Sequence, residues 1–138
     1  MFKKIMVPVD LRHVARLDRA LQAAADLARL YSASICYVSV TSTEPNELGH
    51  TPDEAARHFA DWGRSEAERR GHAAETHMVV SHDPTVELDK ALLDTVETLG
   101  ADLVVMATHM PNVTDYIWAS HGGTLALHSR ASVMLLRG

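Results

Sequence analysis

With 138 residues, 46% of them apolar and 22% charged, the chain has the composition of one globular domain able to bury a core without cross-links. Its formal charge of −5 at pH 7 leaves no basic footprint for nucleic acid. The single cysteine, Cys36, excludes an internal disulfide and fits a reducing compartment.

The opening MFKKIMVPVD is too short, and too interrupted by proline, for a secretory signal. No window approaches the roughly 20 apolar residues of a membrane span, so a cytoplasmic location is expected. Residues 2–10 read as a strand, because Ile5, Met6, Val7 and Val9 form the near-continuous apolar run of a strand covered on both faces. A helix should follow, with Val14, Leu17, Leu21, Ala24, Ala28 and Tyr31 at helical spacing. Residues 32–40, SASICYVSV, read as a second strand, with Cys36 a small buried hydrophobe.

The polar segment 41–51 reads as a loop. Thr51, Pro52 and Glu54 carry the cap, first-turn proline and returning acid of a helix start. That helix should run to about Arg70, with Ala56, Phe59, Ala60, Gly63 and Ala67 inward and Arg69 and Arg70 suiting its C-terminal dipole. A weaker strand at 75–81 leads to a helix opened by Asp83 and Pro84 and ended by Gly100. Its apolar face is Leu88, Ala91, Leu92, Thr95, Val96 and Leu99. A strand at 101–107, a helix at 120–129 and a strand at 132–137 complete the chain.

Strands alternating with helices imply a parallel sheet with right-handed crossovers. Ligands in such sheets bind beyond the strand C-termini, where strand order reverses. Three segments can supply that crevice: VPVD after the first strand, VSVTS after the second and ATHMP after the fourth. The last strand, from Val133 to Arg137, is apolar, and an exposed edge of that kind is normally paired. Antiparallel pairing with a two-fold mate, giving a homodimer, is its simplest cover.

The segments KKIMVPVD, GADLVVMATH and SRASVMLLR resemble the universal stress protein family. The spacing of His109, Pro111, Thr114, Tyr116 and Ser120 resembles its UspF/UspG branch. The resemblance spans essentially the whole chain. It implies an α/β fold: a Rossmann-like open five-stranded parallel sheet of order 3-2-1-4-5 with helices on both faces. It also implies ATP or AMP as ligand, with Mg²⁺ carried by the nucleotide, and homodimers through the last strands.

The adenosine positions it implies are Pro8, Val9 and Asp10, with Val40 lining the base pocket. The implied phosphate loop falls on Ala107, Thr108, His109 and Met110, then on Ala119, Ser120 and His121. Ala107, Met110 and Ala119 stand where the family pattern has glycines, and one spacer residue is missing. Met110 and Ala119 also replace the arginine and glycine of the UspF-like branch.

A phosphate cradle works through amide hydrogens and the positive end of a helix dipole. Both survive an alanine unless position 119 needs a left-handed backbone. Residues 107–129 contain no lysine or arginine, and Asp115 adds a negative charge. His109 and His121 are the titratable donors on the implied loop, while His128 sits toward the helix end. Ser120 either caps the following helix or also reaches a phosphate. Asp10 either starts the next turn or contacts adenosine. Tyr116 and Trp118 either cover the crevice, anchor a partner or pack on the sheet.

The nine histidines form no HExxH or Cys/His cluster. His82, His109 and His121 converge at most near the sheet's C-terminal edge, and no metal site is expected. No G-x-S-x-G elbow occurs, and no catalytic set is expected. The expected function is a non-enzymatic stress-response module with an altered adenine-nucleotide site and an unidentified protein partner. Two alternatives stand beside it: a nucleotide-free interaction protein whose crevice is plugged by Met110, Tyr116 or Trp118, and a weak ATP hydrolase.

Overall fold

The structure, a computed structural model, describes residues 1–108 and 121–137. In chain order the elements are β1 (Lys4–Pro8), a short 3-10 helix (Leu11–Arg16), α1 (Asp18–Tyr31), β2 (Ser34–Ser42) and α2 (Pro52–Arg70). They continue with β3 (Ala74–Ser81), α3 (Pro84–Leu99), β4 (Leu103–Thr108), α4 (His121–His128) and β5 (Ser132–Arg137).

The five strands form one sheet of order β3-β2-β1-β4-β5, and every neighbouring pair is parallel. This is the 3-2-1-4-5 arrangement that the resemblance implies. Ile5, Met6 and Val7 of β1, Ile35 to Val38 of β2 and Leu103 to Met106 of β4 are all buried, as strands covered on both faces must be. Right-handed crossovers place α1 and α2 on one face and α3 and α4 on the other.

The first helix differs from the sequence expectation. Val14 lies in the 3-10 segment, and α1 begins only at Asp18. Asp10 caps the 3-10 turn by accepting from the Arg12 amide at 3.0 Å, and His13 (φ −133°, ψ 35°) breaks helical continuity. Regular burial then starts, with Ala20, Leu21, Ala24, Ala25 and Ala28 inward.

In α2 the start is as the sequence implies, with Thr51 Oγ1 accepting from the Glu54 amide at 3.1 Å. The buried stripe, however, is Ala55, Phe59, Gly63, Glu66 and Arg70; Ala56, Ala60 and Ala67 are only half-buried. Gly63 sets the close approach of helix to sheet: a Cβ there would meet Thr76 Cγ2 at 2.3 Å and Tyr37 Cδ2 at 3.6 Å. Arg70 is not a solvated dipole partner. Its guanidinium binds Glu66 Oε2 at 2.7 Å, Asp18 Oδ1 at 2.7 Å and Gln22 Oε1 at 2.8 Å, joining α1 to α2.

In α3, Leu88, Leu92, Thr95 and Val96 are buried, and Gly100 closes the helix at φ 66°, a left-handed position suited to glycine.

Candidate functional site

Strand order reverses between β1 and β4, which part beyond their second rung. Their ladder comprises Ile5↔Leu103 and Met6↔Val104 and stops short of Pro8 and Thr108. Beyond it β1 continues beside β2, since the Val9 amide donates to Val38 O at 2.7 Å. That pairing delivers Asp10 into the space above the strand ends.

Asp10 is 4% exposed. Its Oδ1 accepts from the Arg12 amide at 3.0 Å and from Arg12 Nε at 3.2 Å. Its Oδ2 is buried and has no hydrogen-bond partner. A buried acceptor without a donor loses its hydration for nothing, at about 1–3 kcal/mol.

One hollow adjoins this carboxylate, and a second lies beside the first. The first, of about 20 Å³, is lined by Asp10, Arg12, Ser39, Val40, Pro84 and Leu88, together with Leu48. It shares Arg12, Val40, Leu48 and Pro84 with an open cleft of about 190 Å³, whose further walls are Thr41, Ser42, Asn46 and Glu47. The loop forming that wall is braced from within. Asn46 Nδ2 donates to Thr41 Oγ1 at 3.1 Å, Ser42 Oγ at 3.2 Å and Glu44 O at 3.0 Å, while Asn46 Oδ1 accepts from the Leu48 amide at 2.9 Å. Gly49 lets the loop sit on the start of α2, where a Cβ would lie 2.7 Å from the Ala55 nitrogen.

Of the residues expected to bind adenosine, Pro8, Val9 and Asp10 sit together at the end of β1, and Val40 lines both hollows. Ala107 is buried and Thr108 half-buried at the end of β4, where they pair with Leu136 and Arg137 of β5. His121 opens α4. His109, Met110, Ala119 and Ser120 lie outside the described residues, as do Asp115, Tyr116 and Trp118.

Sequence reasoning missed two parts of the wall. Arg12 drew no role from the sequence, yet it supplies a fixed cation, and residues 107–129 contain no lysine or arginine. The loop 41–51 read as polar filler, although Asn46 between Pro45 and Gly49 is the kind of turn-forming side chain that braces a wall.

Cys36 is 1% exposed and unpaired, and burial pushes its thiol up to about 11, as befits a packing residue. No group of three or more His, Cys, Asp or Glu among the described residues is placed to hold a metal ion. No helix among them is long and apolar enough to cross a membrane.

A family model described as the universal stress protein family matches residues 1–137. The chain belongs to the universal stress protein family. Universal stress protein G of Shigella flexneri is 24% identical over 143 residues, covering 99% of this chain and 100% of that one, in keeping with the UspF/UspG-like spacing. The universal stress protein structure from Archaeoglobus fulgidus superposes with a TM-score of 0.72 at 21% identity, covering 98% of both chains. A universal stress protein crystallised in complex with cAMP has a TM-score of 0.68 at 18% identity, covering 98% of this chain and 97% of that one. These structures share the family's fold with this chain.

Proposed function

We propose that this universal stress protein is a non-enzymatic, cytoplasmic stress-response module whose cleft beyond β1 and β2 holds an adenine nucleotide, ATP or AMP, with any Mg²⁺ carried by the nucleotide. The observation that carries this reading is Asp10 Oδ2, a buried acceptor without a donor on a residue that lines the small hollow beside the cleft. A ribose hydroxyl or a base amine supplies that donor, while Val40 and Leu48 give apolar cover. The cAMP complex of a relative supports the choice of ligand class. Thermal melts test it: ligand at 100 times its Kd stabilises the native state by about 2.7 kcal/mol. An unchanged melting temperature at millimolar nucleotide would overturn the reading.

We propose in addition that β5 is a homodimer seam. Among the described residues β5 is an edge strand, paired with β4 alone, and its Met134 and Leu135 are 37% and 46% exposed. Pairing with a two-fold mate covers both its open backbone and those side chains. Light scattering should give twice the chain mass, and Leu135→Lys should give a monomer. A monomeric parent protein would sink this proposal without touching the first.

A further inference from the structure

We infer that Arg12 selects the ligand: it reads a single phosphoryl group, so the cleft takes an adenine nucleotide with one phosphate in preference to the triphosphate. This rests on the adenine-nucleotide reading above and specifies its ligand. Arg12 follows β1, and its side chain is 37% exposed at the mouth. It is held through Nε, 3.2 Å from Asp10 Oδ1 and 3.6 Å from Glu47 Oε1. Its two terminal amino groups make no hydrogen bond to a described residue. A guanidinium gripped at Nε keeps its outer edge open, and that planar fork matches two oxygens of one phosphoryl group.

The cleft therefore offers two complementary vacancies side by side: an acceptor needing a donor at Asp10 Oδ2, and a donor pair needing an acceptor at Arg12. A nucleotide carries both partners on one sugar, a hydroxyl and a phosphate. A free phosphate has no donor for a carboxylate at neutral pH comparable to a hydroxyl, and a nucleoside has no anion for the guanidinium.

The charge balance sets the number of phosphates. Two carboxylates, Asp10 and Glu47, stand within 3.6 Å of the one guanidinium nitrogen, so the wall is net negative before any ligand arrives. One phosphoryl group on the open edge still meets the guanidinium directly. Each further phosphate adds negative charge against Asp10 and Glu47, and residues 107–129 contain no lysine or arginine to answer it.

The test is titration calorimetry of the full chain in EDTA with adenosine, AMP and ATP. AMP should bind about tenfold more tightly than either, which is about 1.4 kcal/mol. Arg12→Gln should bring the AMP-to-adenosine affinity ratio down to about one, whereas Arg12→Lys, which keeps charge but loses the fork, should keep part of it. Glu47 is 66% exposed, so Glu47→Gln should raise ATP affinity relative to adenosine by about threefold, the scale of a surface charge pair. Metal-free ATP binding as tightly as AMP, or an AMP preference that survives Arg12→Gln, overturns the inference. An unchanged ATP-to-adenosine ratio in Glu47→Gln does the same. If none of the three compounds binds the parent protein, the adenine-nucleotide reading fails first. A circular-dichroism melt of each variant keeps a folding defect from passing as a binding defect.

Discussion

Replacing Arg70 by methionine should remove the clasp between α1 and α2. Arg70 and Glu66 are 8% and 5% exposed and meet at 2.7 Å, so the substitution leaves a buried carboxylate without its main partner. Breaking such a pair from one side costs about 3–5 kcal/mol. Two features place this case at the lower end. Arg69 Nη2 still reaches Glu66 Oε1 at 2.6 Å, and the Asp18 side chain, 74% exposed, regains water at little loss. The expected cost is therefore about 3 kcal/mol. With an unfolding entropy of about 2.1 cal/mol/K per residue, a chain of 138 residues should melt about 10 °C lower. Thermal and urea unfolding by circular dichroism measures it directly.

The double variant Glu66→Leu/Arg70→Met separates packing from charge. With no carboxylate left stranded it should be more stable than Arg70→Met alone, by the asymmetry between breaking a pair and replacing it. Arg70→Met within about 0.5 kcal/mol of the parent protein, the ordinary range of surface substitutions, would refute the clasp.

Acid sensitivity should follow from two groups. Burial pushes Glu66 up, but hydrogen bonds from Arg70 and Arg69 outweigh it and leave its carboxyl below the usual range. Its stabilisation is present above the ordinary carboxylate value, about 4.3, and is lost as pH falls through the lowered folded value. His72 is held below its ordinary value chiefly by burial, with Arg29 and Arg70 adding repulsion against the opposing Ala73 carbonyl and Glu66. Its neutral ring, 2.9 Å from the Tyr37 hydroxyl, favours the fold above about pH 6.5, and that contribution declines as pH falls below it. In His72→Gln the stability–pH curve should flatten in this upper window, as urea titrations at a series of pH values would register. Gly63→Ala should cost about 1–3 kcal/mol by overpacking, and Thr76→Ser alongside it should recover most of that, because Thr76 Cγ2 is the atom a new Cβ meets. Cys36 should resist thiol reagents at pH 8 in the native protein and react promptly in denaturant; native labelling at a free-thiol rate would contradict its burial.

The sheet was legible because its signals are local. The apolar runs of β1, β2 and β4, the cap at Thr51 and the stop at Gly100 each carry their own short-range physics. The inner face of α2 was legible only at Phe59 and Gly63. Alanines fit either side of a helix, whereas the true inner face includes Glu66 and Arg70, whose burial depends on Asp18 and Gln22 of another helix. The same limit applied at the site. The strand ends pointed to VPVD and VSVTS and the family resemblance singled out Asp10 and Val40 within them, but Arg12 becomes a wall residue only because a 3-10 turn intervenes and Glu47 arrives from a distant loop.

The brevity of the ladder between β1 and β4 has a consequence for communication within the molecule. It leaves the sheet as two panels, one bearing Asp10 and Val40 and the other ending in the edge strand β5, joined by two rungs. Beside those rungs, α1 also ties the two sides together, through Arg19 Nη1 donating to Arg137 O at 3.2 Å, and by reciprocity any coupling between an occupant of the cleft and a mate on β5 has the same size in both directions.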